Sequence, residues 1–457
     1  MSPKLVPQFA VVGHPNKGKS SIVSTLSHDD NIAISGRSGT TEVATHHCVE
    51  TTHGSYDLID TPGFQRPLKV LNWLQQHCNS ASDRAATVKT FVEDPECRQL
   101  FKDETELLSP IVAGAAILYV VDGSRPYGSE YEAEMEILRW TGQPSMALIN
   151  PIESSDCIDE WQNALAQYFK SVRVFNPMKA DFEKQVELLQ TFSHLNPAWK
   201  ALLTTITDDL KRTRAQQQKT SVVILARLVD DLCQYQYCQK VLNESQAKQL
   251  QPALATKYKQ WMKQREETSV NELLANYAHH QTQVSLSGFD LPPDLFDCDQ
   301  WFAWGLNKKQ LTYAAAAAGA VGGAAVDLAV AGHSFMLGAI GGGLLGASGA
   351  WFGANKLVDM KLKGLPVGGY QACIGPIKNR NFPYVVIGRF VHLYRQIAQL
   401  NHANRQALDF NATDFQNSVE NLEGSAKKEL HKACEKLIKQ KPVDELEAIL
   451  SPLFEES

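Results

Sequence analysis

The chain lacks an excess of positive charge. Its 44 lysines and arginines are outnumbered by 50 aspartates and glutamates, a formal net charge of −6. No global basic field is therefore present to hold nucleic acid. It also lacks any C-x-x-C pair. The nine cysteines are scattered, and the closest two, Cys233 and Cys238, both fall in a helical pattern. The expectation is free thiols in a reducing compartment rather than a zinc ribbon or a disulfide scaffold. The opening MSPKLVPQF has no apolar signal core, which reads as a cytoplasmic chain. No G-x-x-G loop stands in a setting that suits a KH-type RNA module, so no nucleic-acid module is evident. His46, His47 and His53 lie close together. Neighbouring positions on a strand face opposite ways, so they are not read as a metal site.

What is present begins at VVGHPNKGKSS, Val11 to Ser21. Gly13, His14, Pro15, Asn16, Lys17, Gly18, Lys19 and Ser20 fit the phosphate-binding pattern G-x-x-x-x-G-K-[ST], with Ser21 following. Glycines let successive backbone N–H groups turn inward on phosphate oxygens, and the next helix adds its positive end. Lys19 is expected to reach the β- and γ-phosphates, and Ser20 to offer a hydroxyl to Mg²⁺. The apolar run Gln8 to Val12 reads as the preceding strand and Lys19 to Leu26 as the following helix. A second strand, in Tyr56 to Phe64, ends in Asp60-Thr61-Pro62-Gly63. A carboxylate there can hold Mg²⁺ through water, and the N–H of Gly63 can sense the γ-phosphate. Between the two lies SGRSGTTEV, Ser35 to Val43. Thr41 is the preferred third Mg²⁺ ligand, with Thr40 its neighbour. Val43 to Asp60 reads as two strands around a turn at His53-Gly54.

These residues resemble the Era/TrmE-like branch of GTPases, which shows G-x-P-N-x-G-K-S, then G-T-T, then D-T-P-G. The resemblance covers roughly the first 180 residues. It implies an α/β P-loop GTPase domain, a mixed and mostly parallel sheet with an antiparallel hairpin, followed by a mostly α-helical region. It implies GTP and GDP as ligands, GTP hydrolysis, and Mg²⁺ at Ser20, Thr41 and Asp60. Lys19, Thr41, Gly63 and Asn16 would be the catalytic set. In that branch an asparagine placed like Asn16 helps hold K⁺; the plainer reading is that Asn16 suits a turn. Phe64 stands where many GTPases carry a water-orienting glutamine, so slow intrinsic hydrolysis is expected unless K⁺, a dimer partner or a protein effector assists. Gln65 is the weaker alternative. The guanine-reading N-K-x-D appears as Asn150-Pro151-Ile152-Glu153, and Val174 to Lys179 lacks the S-A-K of the branch. Guanine bound less tightly and relaxed base selectivity both remain open. So do a nucleotide-binding scaffold with a degenerate base site and a ribosome-assembly GTPase.

At 457 residues the chain can hold about three domains. Residues 1–182 read as the GTPase domain, with a long helical insertion over about 65–113 broken at Asp94-Pro95. Residues 183–310 read as a helical domain, 311–356 as a Gly/Ala-rich helical hairpin and 357–457 as a C-terminal helical region. Leu225, Leu228, Val229, Leu232 and Cys233 recur at helical spacing, as do Leu430, Ala433, Cys434 and Leu437. The segment after the hairpin, 358–381, reads as loop-rich. Beyond the first 180 residues the chain resembles, more loosely, a bacterial group that joins such a GTPase to a helical C-terminal region of unknown function with a Gly/Ala-rich segment. Ser334 to Ala354 carries no charge over 21 residues, about 31 Å of helix. Gly338, Gly342 and Gly346 repeat every four positions, which favours close helix approach. Two readings stand: a hairpin at or in the inner membrane, flanked by Trp301, Trp304 and Trp351, or a packed hairpin in a soluble domain. Asp327 and the short side chains argue for the second.

Overall fold

The computed structural model describes residues 6–27, 41, 43–278, 361–364, 370–378, 382–400 and 424–455. The Gly/Ala hairpin of 311–356, Thr40, Trp301, Trp304 and Trp351 lie outside these residues, as does most of Ser35 to Val43. The chain forms two compact units, and the division falls after Ala215.

The first unit is built on a six-stranded sheet of order β2-β3-β1-β4-β5-β6. Its strands are β1 (Gln8–Val12), β2 (Thr45–Glu50), β3 (Ser55–Asp60), β4 (Ala116–Asp122), β5 (Ser145–Asn150) and β6 (Val172–Val174). All pairings are parallel except β2 with β3. A parallel sheet is covered on both faces, so its central strands read as unbroken apolar runs. On β1, Ala10 and Val12 enter one core, and Phe9 and Val11 enter the other. The expected strand–loop–helix opening is observed, with α1 at Lys19–Ser27.

The insertion is four helices: α2 (Pro67–His77), α3 (Arg84–Glu93), α4 (Pro95–Leu100) and α5 (Lys102–Val112). Asp94 ends α3 and caps α4, its side chain accepting the Cys97 N–H at 2.8 Å, so the break read at Asp94-Pro95 is a helix junction. Then come α6 (Glu130–Trp140), α7 (Ile158–Leu165) and α8 (Phe182–Phe192). The long helix α9 (Lys200–Gln234) starts in the first unit.

The second unit contains α10 (Glu244–Asn276), α11 (Phe382–Gln399), α12 (Gly424–Ile438) and the short α13 (Leu446–Leu450). Leu225, Leu228, Val229, Leu232 and Cys233 join Leu430, Cys434 and Leu437 in its core, where the helical spacing had placed them. Two expectations fail here. The stretch 358–381, read as loop-rich, contains β8 (Lys361–Gly364) and β9 (Tyr370–Ile374), and between α9 and α10 lies β7 (Tyr237–Val241). These form an antiparallel sheet of order β7-β9-β8. Cys238 is thus on a strand, directly opposite Cys373, and the two form a disulfide. The free-thiol reading is corrected for this pair: register across β7 and β9 brings together residues 135 positions apart. Cys48, Cys78, Cys97, Cys157, Cys233 and Cys434 are free. Among the described residues no helix is long and apolar enough to cross a membrane.

Leu228 is 1% exposed in the second core. Leu228→Ala is expected to destabilise that unit by about 2–5 kcal/mol through lost contacts and a cavity. Guanidinium unfolding followed by circular dichroism measures the shift.

Candidate functional site

The site grows from the carboxyl ends of β1 and β3, which lie side by side with Val11 opposite Asp60. After β1 the chain turns through the Gly13–Ser20 loop. Gly13 takes φ +142°, and a Cβ there would collide with the carbonyl oxygen of Val120, so only glycine serves. Asn16 also has positive φ, at 61°, and is exposed. Asparagine tolerates that left-handed conformation better than most residues, so the turn reading of Asn16 has a local physical basis.

Lys19 is buried, and its Nζ donates to the carbonyls of His14 at 3.0 Å and Gly13 at 3.4 Å. The ammonium thus spans the loop it belongs to. Burial lowers its pKa from 10.5 to about 8, against the opposing attraction of Asp60 and Glu134.

Ser20, Thr41 and Asp60 meet. Ser20 Oγ donates to Asp60 Oδ2 at 2.7 Å and Thr41 Oγ1 donates to the same oxygen at 3.1 Å. Asp60 Oδ1 is buried with no hydrogen-bond partner. Two hydroxyls and a carboxylate with an unused oxygen form a hard oxygen donor set of the kind Mg²⁺ takes. Gly63 lies against the phosphate loop, where a Cβ would stand 2.6 Å from Pro15 N. The next N–H, of Phe64, donates to Gly13 O at 3.2 Å. Thr61 faces inward: its hydroxyl donates to Val11 O at 2.7 Å, tying the two strand ends together. Pro62 is buried beside it.

Two loop side chains turn away from the cradle. Lys17 is buried, with its ammonium 3.5 Å from Asp122 Oδ2. His14 Nδ1 lies 2.9 Å from Glu134 Oε1, and Tyr119 OH donates to Glu134 Oε2 at 2.9 Å. Burial pushes the Glu134 carboxyl up, and its bond to His14 opposes the shift. His14 and Lys17 therefore offer the cradle their backbone, while their side chains fasten it to α6 and to the end of β4. Glu134, Tyr119 and Asp122 escaped the sequence reading. The signal for Glu134 was present, since it shares an apolar helical face with Tyr131 and Leu138.

The base end rests on Asn150, buried at the end of β5, whose Nδ2 donates to Lys17 O at 3.1 Å. Glu153 is exposed in the loop that follows. That loop is tied to the one after β6: Asn176 Nδ2 donates to Pro151 O at 3.0 Å, and Asn176 Oδ1 accepts the Met178 N–H at 2.9 Å. Pro177 has no N–H and that of Met178 is taken, so this loop offers a base few backbone donors. Asn176 was not singled out from the sequence. The histidines of the hairpin go to separate acids. His46 Nδ1 is 2.6 Å from Asp57 Oδ2, and His53 Nδ1 is 2.9 Å from Asp209 Oδ1.

The depressed Lys19 pKa sets a sign. Below about pH 8 the nucleotide-free chain carries a charged, desolvated ammonium. The contribution of this group to stability therefore rises between pH 8 and 10.5, and is lost as pH falls through 8. A bound polyphosphate restores the charged form. Nucleotide binding at pH 9 is expected to take up a proton, read by calorimetry in buffers of different ionisation enthalpy, and Lys19→Met is expected to abolish the uptake.

Two stretches of the chain match known families. Residues 8–150 match the family described as 50S ribosome-binding GTPase. The GTPase Der of Agathobacter rectalis is 32% identical over 94 residues, 20% of this chain and 21% of that protein. The GTPase Der of Desulfitobacterium hafniense is 38% identical over 78 residues, 17% and 18% of the two chains. The matches thus span about a fifth of these relatives' lengths. Two solved structures also align. A variant of Aquifex aeolicus Era bound to GDP and aluminium fluoride has 15% identity and a TM-score of 0.27, covering 59% of this chain and 88% of that one. Era in complex with MgGDPNP and part of 16S ribosomal RNA has 14% identity and a TM-score of 0.29, covering 60% and 89%. The N-terminal unit is an α/β P-loop GTPase domain with relatives among the Der GTPases, and a largely helical region follows it. Residues 162–448, more than half of the sequence, match the family described as Domain of unknown function (DUF3482), and the chain belongs to that family.

Proposed function

We propose that this chain is a Mg²⁺-dependent switch that binds and hydrolyses GTP and passes its nucleotide state to the helical C-terminal region. One observation carries the reading: Ser20, Thr41 and Asp60, from three separate segments, converge on a single carboxylate oxygen. Lys19 and the loop N–H groups would hold the β- and γ-phosphates, and the Gly63 N–H would meet the γ-phosphate. Mg²⁺, held by Ser20, Thr41 and Asp60, would neutralise charge on the phosphate oxygens. Asn16 would place K⁺ beside the same oxygens, where a cation stabilises developing charge. Phe64 is fully buried and cannot orient water, so intrinsic turnover is slow without K⁺, a second copy or a protein effector.

A second reading concerns the base. Glu153 is exposed, Pro151 supplies no lysine stem, and the Pro177–Met178 loop has few free donors. These features favour a site that grips the triphosphate more firmly than the guanine, up to a nucleotide-binding scaffold with a degenerate base site. For partners, the description of the family matched by residues 8–150 supports a role at the large ribosomal subunit. Residues 311–356, by composition, support contact with a membrane.

The test uses the full chain with fluorescent GTP, GDP and ATP. Wild type is expected to bind GTP and GDP, with a GTP preference over ATP smaller than a complete guanine motif gives, and Lys19→Ala to lose both ligands. Hydrolysis in K⁺ is expected to exceed that in Na⁺ roughly tenfold. Unchanged binding by Lys19→Ala contradicts the switch. Equal rates in the two salts remove K⁺ from it. Sedimentation with 50S subunits and flotation with liposomes, each with GDP and with GTPγS, separate the ribosomal and membrane partners.

A further inference from the structure

Glu104 lies in the first turn of α5, inside the insertion, and is fully buried. Its Oε1 accepts the backbone N–H of Gln65 at 3.1 Å and that of Arg66 at 2.6 Å. These are the residues that immediately follow Gly63-Phe64. Arg66 is the N-cap of α2 and makes no side-chain cap bond, and Pro67 contributes no N–H. The entry to α2 is thus satisfied by a carboxylate from another helix.

Residues 63–66 are held from two sides. Toward the phosphate loop, Gly63 abuts Pro15 and the Phe64 N–H donates to Gly13 O. Toward the insertion, Phe64 is buried in one core with Leu107, Leu108 and Ile111 of α5, and Glu104 takes the next two N–H groups. Arg66 adds its guanidinium 5.2 Å from the Phe101 ring. A buried carboxylate whose donors are backbone N–H groups of one short segment fixes that segment far better than an apolar contact, because loss of either donor leaves polar atoms unsatisfied. Glu104 Oε2 is buried with no partner.

We infer that Glu104 is the positioning residue of the γ-phosphate sensor: it holds Gly63 against the phosphate loop and makes helices α2–α5 move with the nucleotide state. This rests on the switch reading above. With GDP, Gly63 has no γ-phosphate to meet, so Glu104 matters little to GDP affinity. With a γ-phosphate present, the Gly63 N–H must be delivered to it, and the Glu104 tether supplies the position. The geometry in which Gly63 abuts Pro15 is the geometry the tether maintains, so its loss costs affinity for the triphosphate selectively.

Two measurements on the full chain test it. In the first, GTPγS and GDP affinities are compared for wild type, Glu104→Ala, Glu104→Asp and Glu104→Gln. Alanine has no acceptor and aspartate falls one methylene short, so both should weaken GTPγS at least fivefold while GDP stays within twofold. Glutamine keeps an acceptor oxygen and should restore the wild-type ratio. In the second, amide hydrogen exchange over 64–112 of wild type is compared with GDP and with GTPγS, and slower exchange at 65–66 and along α2–α5 is expected with GTPγS. This readout needs no variant to fold. Wild type that binds neither nucleotide sinks the switch reading. Wild type that binds both, with identical exchange over 64–112, overturns the role of Glu104 alone, as does an unchanged GTPγS-to-GDP ratio in folded Glu104→Asp.

Discussion

The carboxylate of Asp60 is the point on which the N-terminal unit turns. Parallel pairing of β1 and β3 sets Asp60 beside Val11, where the phosphate loop begins. One of its oxygens takes the hydroxyls of Ser20 and Thr41, and the other is buried without a partner. A buried carboxylate with a spare oxygen is costly unless opposite charge compensates it, and the attraction of the Lys19 ammonium supplies part of that. A divalent cation with the negative ligand that accompanies it is the natural complement of such a group. The same carboxylate ties together the start of α1, the segment containing Thr41 and the end of β3. Whatever binds there is felt by all three.

Around this point the fold spends buried polar groups on holding backbone in place. Glu134, with Tyr119 behind it, fastens the phosphate loop through His14. Asp122 pairs with Lys17, and Asn150 takes the Lys17 carbonyl. Thr61 joins β3 to β1. Glu104 does for the segment after Gly63 what Glu134 does for the loop before Gly18. At the hairpin tip, Asp209 of α9 accepts both the backbone N–H and the ring of His53. The phosphate-binding end is thus a set of short backbone segments, each gripped by a side chain from a different element. Such an arrangement favours discrete rearrangements over gradual deformation.

Much of this was legible in the sequence, for a physical reason. A phosphate cradle needs glycines and a lysine at fixed spacing, and a parallel strand buried on both faces is a short apolar run, so the loop, the strands and the residues at the strand ends, Asp60 among them, all leave local marks. Helical spacing and the Asp94-Pro95 pair likewise marked the insertion as helical with a break, though not as four helices. The sheet of the second unit was not. Strands β8 and β9 are short and flanked by Gly and Pro, β7 is wedged between two long helices, and the pairing of β7 with β9 spans more than a hundred residues. Cys238 and Cys373 therefore meet with nothing local to announce it. Glu104 and Glu134 are an intermediate case. Each sits in an apolar helical stripe, Glu104 with Leu107, Leu108 and Ile111, and Glu134 with Tyr131 and Leu138. The stripe marks them as buried, but only the fold reveals that their partners are the Gly13–Ser20 loop and the segment after Gly63.

The central claim is that Asp60, Ser20 and Thr41 form one divalent-cation site completed by nucleotide. Mn²⁺ in place of Mg²⁺ makes this directly measurable by electron paramagnetic resonance, titrating the full chain in the presence of GTPγS. The account predicts one tightly bound Mn²⁺ per chain in wild type and binding at least tenfold weaker in Asp60→Asn. Equal Mn²⁺ affinity in the two proteins would contradict it.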